Sequence, residues 1–236
     1  MERRRQFYGR RHGHKLRAGR QAHLQNLLPD IAIDLTEPAG ATLVPAELFS
    51  ASARAVWLEI GFGGGEHLAW QAAANPDIGI IGCEPFVNGV AALCQKIDED
   101  GLNNVRLYTD DARILLEALP DASIERLFVL FPDPWPKKRH HKRRIINPAT
   151  IRQFARILVD GGILRIATDD PSYAQWILMH LGRTAEFEWT ARRAMDWAGR
   201  TNDWPGTRYE AKALAAGRHP VYLTYQRVRR GHPEIS

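Results

Sequence analysis

The sequence predicts an α/β protein built on a doubly wound, mostly parallel β-sheet. From about residue 56 onward, short apolar runs alternate with segments of helical character, and glycine or proline residues separate them. This alternation is typical of parallel strands that are joined by helical crossovers and buried on both faces. The chain of 236 residues suits one large domain better than two.

Strands and helices are predicted to alternate along the chain before two further strands. The predicted strands are residues 56–60, 78–83, 105–108, 124–131, 163–167, 186–191 and 221–228. The predicted helices are residues 65–74, 85–99, 112–119, 147–158 and 171–181. Pro85 and Pro148 favour helix starts because proline is tolerated in a first helical turn. Gly161-Gly162 predicts a turn before the fifth strand, and residues 24–50 are expected to form a short helix and loops.

The first 23 residues are predicted to form a flexible basic arm, followed by a single domain over residues 24–236. The chain has 32 Lys and Arg against 27 Asp and Glu, a net charge of +5. Residues 1–20 concentrate this excess, with Glu2 as their only acid. The segment lacks the apolar periodicity that would order it. Concentrated positive charge is typical of nucleic-acid binding, although a tail that only aids solubility is the alternative.

Other patterns argue against several classes of protein. Cys83 and Cys94 have no ligand-like spacing, so we interpret both as reduced core thiols, without a disulfide framework. His140-His141 belongs to a basic run and has no companion ligands, so no metal is expected. No apolar run approaches the length of a membrane span or signal-peptide core, and we expect a cytoplasmic protein that binds no membrane.

A proline-rich break and a basic run follow the fourth predicted strand. Residues 132–136 read Pro-Asp-Pro-Trp-Pro, and residues 137–144 contain no acid. Asp133 and Trp135 therefore stand at the carboxyl end of a strand, where open α/β sheets bind ligands. Basic segments bind phosphate backbones, although such a run taken alone is more often a solvated surface. We predict that a small-molecule site meets a nucleic acid here.

Each of the first five predicted strands carries an acid at or near its carboxyl end. These acids are Glu59, Glu84, Asp111, Asp133 and Asp169. A single acid in such a place more often caps a helix or a turn. Five in succession predict that they line one cleft.

The glycine-rich residues 61–65 predict a loop whose backbone approaches a ligand closely, at Gly61 and Gly63. Glu66 stands where the dinucleotide fingerprint needs its third glycine, which disfavours an NAD-dependent oxidoreductase. Glu84 can accept hydrogen bonds from ribose hydroxyls, and Asp111 can accept one from the exocyclic amine of adenine. Together these residues predict S-adenosylmethionine as the cofactor.

Four stretches together resemble the tRNA (guanine-N7-)-methyltransferase family: EIGFGGGEHL at 59–68, FPDPWPKKRHHKRRI at 131–145, ATDD at 167–170 and TRYE at 207–210. The basic first 20 residues are similar to the family's N-terminal extension. The resemblance implies a class I methyltransferase (Rossmann-like) fold with a seven-stranded sheet and helices on both faces. It also implies formation of 7-methylguanosine at position 46 in the variable loop of tRNA. In one departure, the family's Thr-Lys-Phe-Glu is Thr-Arg-Tyr-Glu here.

The resemblance further implies the roles of individual residues. The cofactor would be contacted by Glu59, Gly61, Gly63, Glu84, Asp111 and Asp133. The substrate would be held by Lys137, Asp169, Thr207, Arg208, Tyr209 and Glu210, and RNA phosphates by Arg139, Lys142, Arg143 and Arg144. Asp133 would be the catalytic carboxylate. Because guanine N7 has a free lone pair and no proton to remove, we expect Asp133 to act by positioning and electrostatics. Trp135 would stack on the guanine or only wall the pocket.

Two alternatives from different classes stay open at this point. One is another class I methyltransferase that acts on a different atom of an RNA base. The other is a non-catalytic RNA-binding module that retains the fold. The sequence is compatible with both a monomer and a homodimer.

Overall fold

The computed structural model describes residues 8–35, 43–49 and 53–231. One sheet of seven strands has the order β3-β2-β1-β4-β5-β7-β6. The strands are β1 (Ala55–Ile60), β2 (Ile78–Cys83), β3 (Val105–Tyr108), β4 (Ile124–Leu130), β5 (Leu158–Thr168), β6 (Phe187–Trp189) and β7 (Val221–Arg227). Strands β1 to β5 are parallel, whereas β7 runs antiparallel to both β5 and β6. The predicted fold class is confirmed.

Helices cover both faces of the sheet. They are α1 (Ala18–Ile31), α2 (Glu66–Ala74), α3 (Val87–Glu99), α4 (Ala112–Ala118), α5 (Pro148–Ile157), α6 (Pro171–Leu181), α7 (Met195–Ala198) and α8 (Arg208–Ala215). Short 3-10 helices span Pro45–Leu48 and Lys138–Arg143. One apolar cluster joins the sheet to α4, α5 and α6, and a second joins its other face to α1, α2 and α3. Because both faces are covered, every residue of β2 is buried.

Local sequence explains the turns that lead from strands into helices. The side chain of Asp111 caps α4 by accepting a hydrogen bond from the backbone N–H of Arg113, and Asp170 caps α6 in the same way through Tyr173. Asn147 and Thr150 form a reciprocal capping box at the start of α5. These caps satisfy backbone N–H groups that a helix start leaves without partners.

The predicted turn at Gly161-Gly162 is wrong, because both glycines lie inside β5. The pairing of β4 with β5 shifts from Ile124 opposite Leu158 to Arg126 opposite Ile163. The extra residues of β5 form an irregularity, in which Gly161 takes a φ of +79°. The glycines therefore mark a bulge within a strand, where only a residue without a Cβ adopts this conformation readily.

The N-terminal helix begins at Ala18, inside the segment that was predicted to be an arm through residue 23. Side chains of this helix pack against the cluster that contains α3. Residues 8–17 form no helix or strand, but the Asn88 side chain bonds to the backbone N–H of Gly13 at 2.8 Å and to the carbonyl of His14 at 2.7 Å. Residues 1–7 lie outside the described residues. The flexibility of the arm stays a prediction.

Three further features bear on the class of protein. Cys83 and Cys94 are buried free thiols, and burial raises the pKa of Cys94 to about 11. Within the described ranges, no helix is long and apolar enough to cross a membrane. The same residues contain no group of three His, Cys, Asp or Glu side chains that could hold a metal ion.

Candidate active site

A cavity of about 510 Å³ opens at the carboxyl ends of β1, β2 and β4. Strand β1 lies between β2 and β4, so the strand order reverses direction at β1. The cavity therefore lies at the topological switch point of the sheet. Its wall includes Gly61, Gly63, Glu84, Asp111, Asp133 and Tyr209. The predicted glycine loop, the acids of three strands and part of the Thr207–Glu210 motif are therefore brought together.

Glu84 is fixed in the wall by two backbone N–H groups. Its carboxylate oxygens accept hydrogen bonds from Gly63 at 2.9 Å and from Phe86 at 3.0 Å. Burial raises the pKa of Glu84, and the two N–H groups oppose that rise only in part. The side chain thus has a set direction before any ligand is present.

Position 63 requires glycine because of its backbone conformation and because of the nearby Tyr209 ring. Its φ is +57°, and a Cβ at this position would lie 2.8 Å from Cε2 of Tyr209. A larger residue would be strained and would push the tyrosine ring away. The loop and the Tyr209 ring therefore form one continuous part of the wall.

Asp111 serves both as a helix cap and as a wall residue. It is 7% exposed, and its carboxylate accepts hydrogen bonds from the backbone N–H of Arg113 at 3.0 Å and from the Arg113 Nε at 2.9 Å. The ordinary capping role and the predicted cofactor role are therefore compatible in one residue.

Glu59 lies outside the wall of the cavity, and its predicted contact with the cofactor stays a prediction. It is 2% exposed, and its Oε2 lies 2.7 Å from the Nδ1 atom of His67 in α2. The physical reason is the alternation of side chains along β1, which directs Glu59 to the face covered by α2. Glu59 forms part of the floor beneath the glycine loop.

Asp133 lies on the proline-rich loop that follows β4. Its side chain is exposed at the cavity wall, yet partial burial by the surrounding protein raises its pKa above the ordinary value. Phe131 and Trp135 flank it with φ values of 50° and 44°. Left-handed conformations are uncommon for bulky residues and cluster at functional sites.

Most of the basic run forms the 3-10 helix at residues 138–143, beside the cavity. Lys142 and Arg143 line the cavity wall, whereas Lys137 and Arg139 are exposed outside it. The guanidinium carbon of Arg143 lies 4.9 Å from the ring centre of Trp135 and 4.6 Å from that of Tyr8. Trp135 is thus held from one side by a cation–π contact.

Arg144 borders the cavity but is buried, and its predicted contact with RNA phosphates stays a prediction. It is 1% exposed, and its Nε donates to the carbonyl of Pro134 at 2.8 Å. Its guanidinium carbon lies 4.8 Å from the ring centre of Tyr173 and 5.0 Å from that of Trp176. Burial lowers the pKa of Arg144. The residue attaches the proline-rich loop to α6.

The Thr207–Glu210 motif forms the start of α8. Thr207 and Glu210 make a reciprocal capping box, and the Arg208 Nε lies 3.4 Å from Oε1 of Glu66. Tyr209 alone of the four lines the cavity. Asp169 lies outside the lining, where its carboxylate accepts a hydrogen bond from Arg218 at 2.7 Å.

Sequence reasoning missed several residues of the wall. They are Tyr8, Phe86, Phe131 and Asn147, among others. Phe86 and Phe131 adjoin predicted site residues, so their nearness along the chain was a usable signal. Tyr8 comes from the segment predicted to be flexible, and no local pattern connects it with the sheet.

Known proteins resemble this chain in sequence. A family model described as "Putative methyltransferase" matches residues 53–223. The tRNA (guanine-N(7)-)-methyltransferase of Rhodospirillum rubrum is 53% identical over 222 residues, which cover 94% of this chain and 87% of that one. The protein of the same name from a Chelativorans species is 49% identical, covering 94% of this chain and 95% of its own.

Solved structures show the fold at much lower identity. An rRNA methylase from Streptococcus thermophilus has a TM-score of 0.51 at 13% identity, covering 75% of this chain and 89% of that one. The [4+2]-cyclase SpnF has a TM-score of 0.52 at 19% identity and covers 75% of each chain. Since the two carry different chemistry on one fold, the fold alone does not identify the reaction.

Proposed function

Because the chain belongs to the tRNA (guanine-N(7)-)-methyltransferase family, we propose that it transfers a methyl group from S-adenosyl-L-methionine to N7 of guanosine 46 in the variable loop of tRNA. The observation that carries the proposal is the cavity at the switch point. Its wall joins Glu84 and the glycine loop to Asp133, with Lys142 and Arg143 close by. The proposed cofactor site and a basic surface thus share one opening.

The residues present fit S-adenosylmethionine. An ionised carboxylate has about four acceptor positions, and the two N–H groups on Glu84 use two of them. The others would accept from ribose hydroxyls, while Asp111 would accept from the adenine amine and Gly61 would leave room for the methionine end. The bound cofactor supplies an electrophilic methyl group on a sulfonium.

Asp133 would orient the guanine and stabilise the charge that develops on it. Attack by N7 leaves a positive charge on the purine, and a nearby carboxylate lowers the energy of that charge. The same carboxylate would accept hydrogen bonds from N1–H and from the 2-amino group, which favours guanine over adenine. No proton is removed from N7, so Asp133 acts by position and charge.

The remaining residues would bind the RNA and shape the pocket. Lys137, Arg139, Lys142 and Arg143 would contact phosphates around the target base. Tyr209 would contact the base or the cofactor, and Thr207, Arg208 and Glu210 would hold it there through the cap and the ion pair with Glu66. Asp169 would act outside the cavity, through its bond to Arg218.

The test is methyl transfer from labelled S-adenosylmethionine to unmodified tRNA transcripts, with the product nucleoside identified and mapped. A transcript with adenosine at position 46 is the matched control. Label in 7-methylguanosine at position 46, and none in the control transcript, supports the proposal. Label in the same nucleoside at another position would overturn the choice of position 46. Label in a different atom, or none in any RNA, would overturn the reaction.

A further inference from the structure

A buried chain of hydrogen bonds links the first strand to the segment that precedes α8. Glu59 Oε2 lies 2.7 Å from His67 Nδ1, His67 Nε2 lies 3.1 Å from Gln71 Nε2, and Gln71 Nε2 donates to the carbonyl of Asp203 at 2.9 Å. We infer that His67 and Gln71 are positioning residues that hold Tyr209 against the glycine loop. The inference rests on the proposed function, because Tyr209 lines the proposed site.

The partners determine which atom donates at each step. The Gln71 amide nitrogen has two hydrogens, directed at the Asp203 carbonyl and at His67 Nε2, and its oxygen accepts from Asn75 at 3.3 Å. A reversed amide would place oxygen against the carbonyl of Asp203 and nitrogen against the amide nitrogen of Asn75. His67 Nε2 is therefore an acceptor, and His67 Nδ1–H donates to Glu59. Every hydrogen in the chain has one assigned acceptor.

The far end of the chain reaches a segment that is anchored in the core. Trp204 follows Asp203, is 3% exposed, and packs its ring 5.4 Å from that of His67. The Asp203 carboxylate accepts from Arg165 at 2.7 Å. Arg200 donates to the carbonyl of Trp204 at 2.7 Å and to Glu210 at 3.2 Å. The anchor is thus joined directly to the start of α8.

Helix α8 depends on this anchor because its own packing is slight. Ala213 is its only fully buried residue among those described. Tyr209 nevertheless sits close enough to Gly63 that a Cβ there would lie 2.8 Å from the tyrosine ring. Arg218 also ties the residues after α8 to Asp169, but that contact lies beyond the far end of the helix. Apart from the ion pair between the adjacent Arg208 and Glu66, the position of Tyr209 is therefore governed from the Trp204 side.

The polar side chains of this hydrogen-bonded chain support a role in positioning. Glu59, His67 and Gln71 are each no more than 3% exposed and border an otherwise apolar cluster. Apolar residues of similar volume would often fill such a space at no loss of stability. A fully satisfied polar chain instead fixes one arrangement of the parts that it joins. Here those parts are β1 and α2, which flank the glycine loop, and the anchor of α8.

A double-mutant cycle tests the inference. Gln71→Met keeps the side-chain length but removes both donors, and Tyr209→Ala removes the ring. We expect each change to lower kcat/KM for tRNA by roughly 10-fold, less than the ~100-fold that a displacement of about 1 Å can cost. If Gln71 acts through Tyr209, the double variant is no worse than Tyr209→Ala alone. Independent, multiplying effects would overturn the inference.

Asn104→Leu is the matched control. Asn104 is also a buried amide, and it donates to the carbonyls of Ala72, Asn75 and Ile78, so none of these hydrogen bonds reaches residues 200–210. Its effect should multiply with that of Tyr209→Ala. Should Gln71→Met fail to fold, Gln71→Asn, which shortens the reach of the amide, takes its place in the cycle.

Hydrogen exchange without substrate supplies a measurement that does not depend on activity. Gln71→Met should speed amide exchange in residues 200–210, whereas Asn104→Leu should speed exchange in residues 72–83 only. Unchanged protection in residues 200–210 would overturn the inference. If the unmodified protein makes no 7-methylguanosine, the proposed function falls, and exchange still decides whether Gln71 holds the anchor.

Discussion

Two neighbouring strands of the sheet, β1 and β4, bring in carboxylates with opposite surroundings. Glu59 lies within β1, is 2% exposed and pairs with His67 beneath the glycine loop. Asp133 lies three residues beyond the end of β4, on a loop where its side chain is exposed at the cavity wall. The difference shows that an acid inside a strand is directed by the pleat, whereas an acid beyond the strand is directed by its loop. Glu59 is enclosed within the fold, whereas Asp133 faces the cavity.

The largest effect is expected for a substitution of Asp133. Asp133→Asn keeps the shape but removes the charge, so kcat should fall by roughly 100-fold or more, since it loses stabilisation of the developing positive charge. Single-turnover methylation at saturating tRNA measures this, and tRNA affinity should change little. Asp121→Asn, an exposed acid paired with Arg156, is the control and should leave kcat unchanged. A normal turnover rate for Asp133→Asn would remove Asp133 from the mechanism.

The next effect compares Glu84 in the wall with Glu59 in the floor. Glu84→Gln should weaken cofactor binding by roughly 10- to 100-fold, because hydrogen bonds to a charged acceptor contribute about 1.5–3 kcal/mol. Glu59→Leu should instead lower the free energy of unfolding by roughly 1–3 kcal/mol, because the buried His67 N–H loses its acceptor. Calorimetric titration with S-adenosylmethionine and denaturant unfolding measure the two quantities. A Glu59 variant that folds normally and fails to bind cofactor would contradict the assignment of cofactor binding to Glu84 and of a structural role to Glu59.

A smaller effect distinguishes two nearby basic residues. Lys142 is exposed at the cavity and Arg144 is buried between aromatic rings. Lys142→Gln should reduce the slope of log affinity against log salt by about one, as expected for the loss of one phosphate contact. Arg144→Gln should leave that slope unchanged and lower the free energy of unfolding. Binding of tRNA over a salt series measures the slopes, and equal slope changes would show that Arg144 also reaches the RNA.

The smallest effect concerns pH and the raised pKa of Asp133. A carboxyl group whose pKa is higher in the folded than in the unfolded protein favours folding below its unfolded pKa, and this contribution disappears as the pH rises through the folded pKa. Asp133→Asn removes it. The stability of the variant relative to the unmodified protein should therefore increase with pH through that window and then stay constant. Denaturant unfolding over a pH series measures this, and a difference that does not vary with pH would contradict the raised pKa.

The sequence contained enough to predict the sheet and the acidic residues of the cavity wall. Apolar runs placed the strands, and the parallel arrangement brought Glu84, Asp111 and Asp133 to one edge. The direction of the Glu59 side chain could also have been predicted, because side chains alternate along β1 and Trp57 and Glu59 share the face opposite Leu58 and Ile60. The prediction considered only that each strand carries an acid and did not use this alternation. Arg144 could not be separated from its basic neighbours, since its burial depends on Tyr173 and Trp176 of a later helix. Gly161 looked like a turn because a bulge and a turn both use glycine.

The proline content of the loop around Asp133 has a consequence for the entropy of binding. Pro132, Pro134 and Pro136 each fix φ near −65°. Phe131, before the first proline, and Trp135, between the last two, have positive φ. Of residues 131–136, Asp133 alone has a φ set by neither constraint. The prolines also restrict the unfolded chain, so ordering this loop costs less conformational entropy than ordering an ordinary loop. A carboxylate carried on such a loop loses less conformational entropy when RNA binds, so its ordering diminishes the free energy of RNA binding less than that of a carboxylate on an ordinary loop.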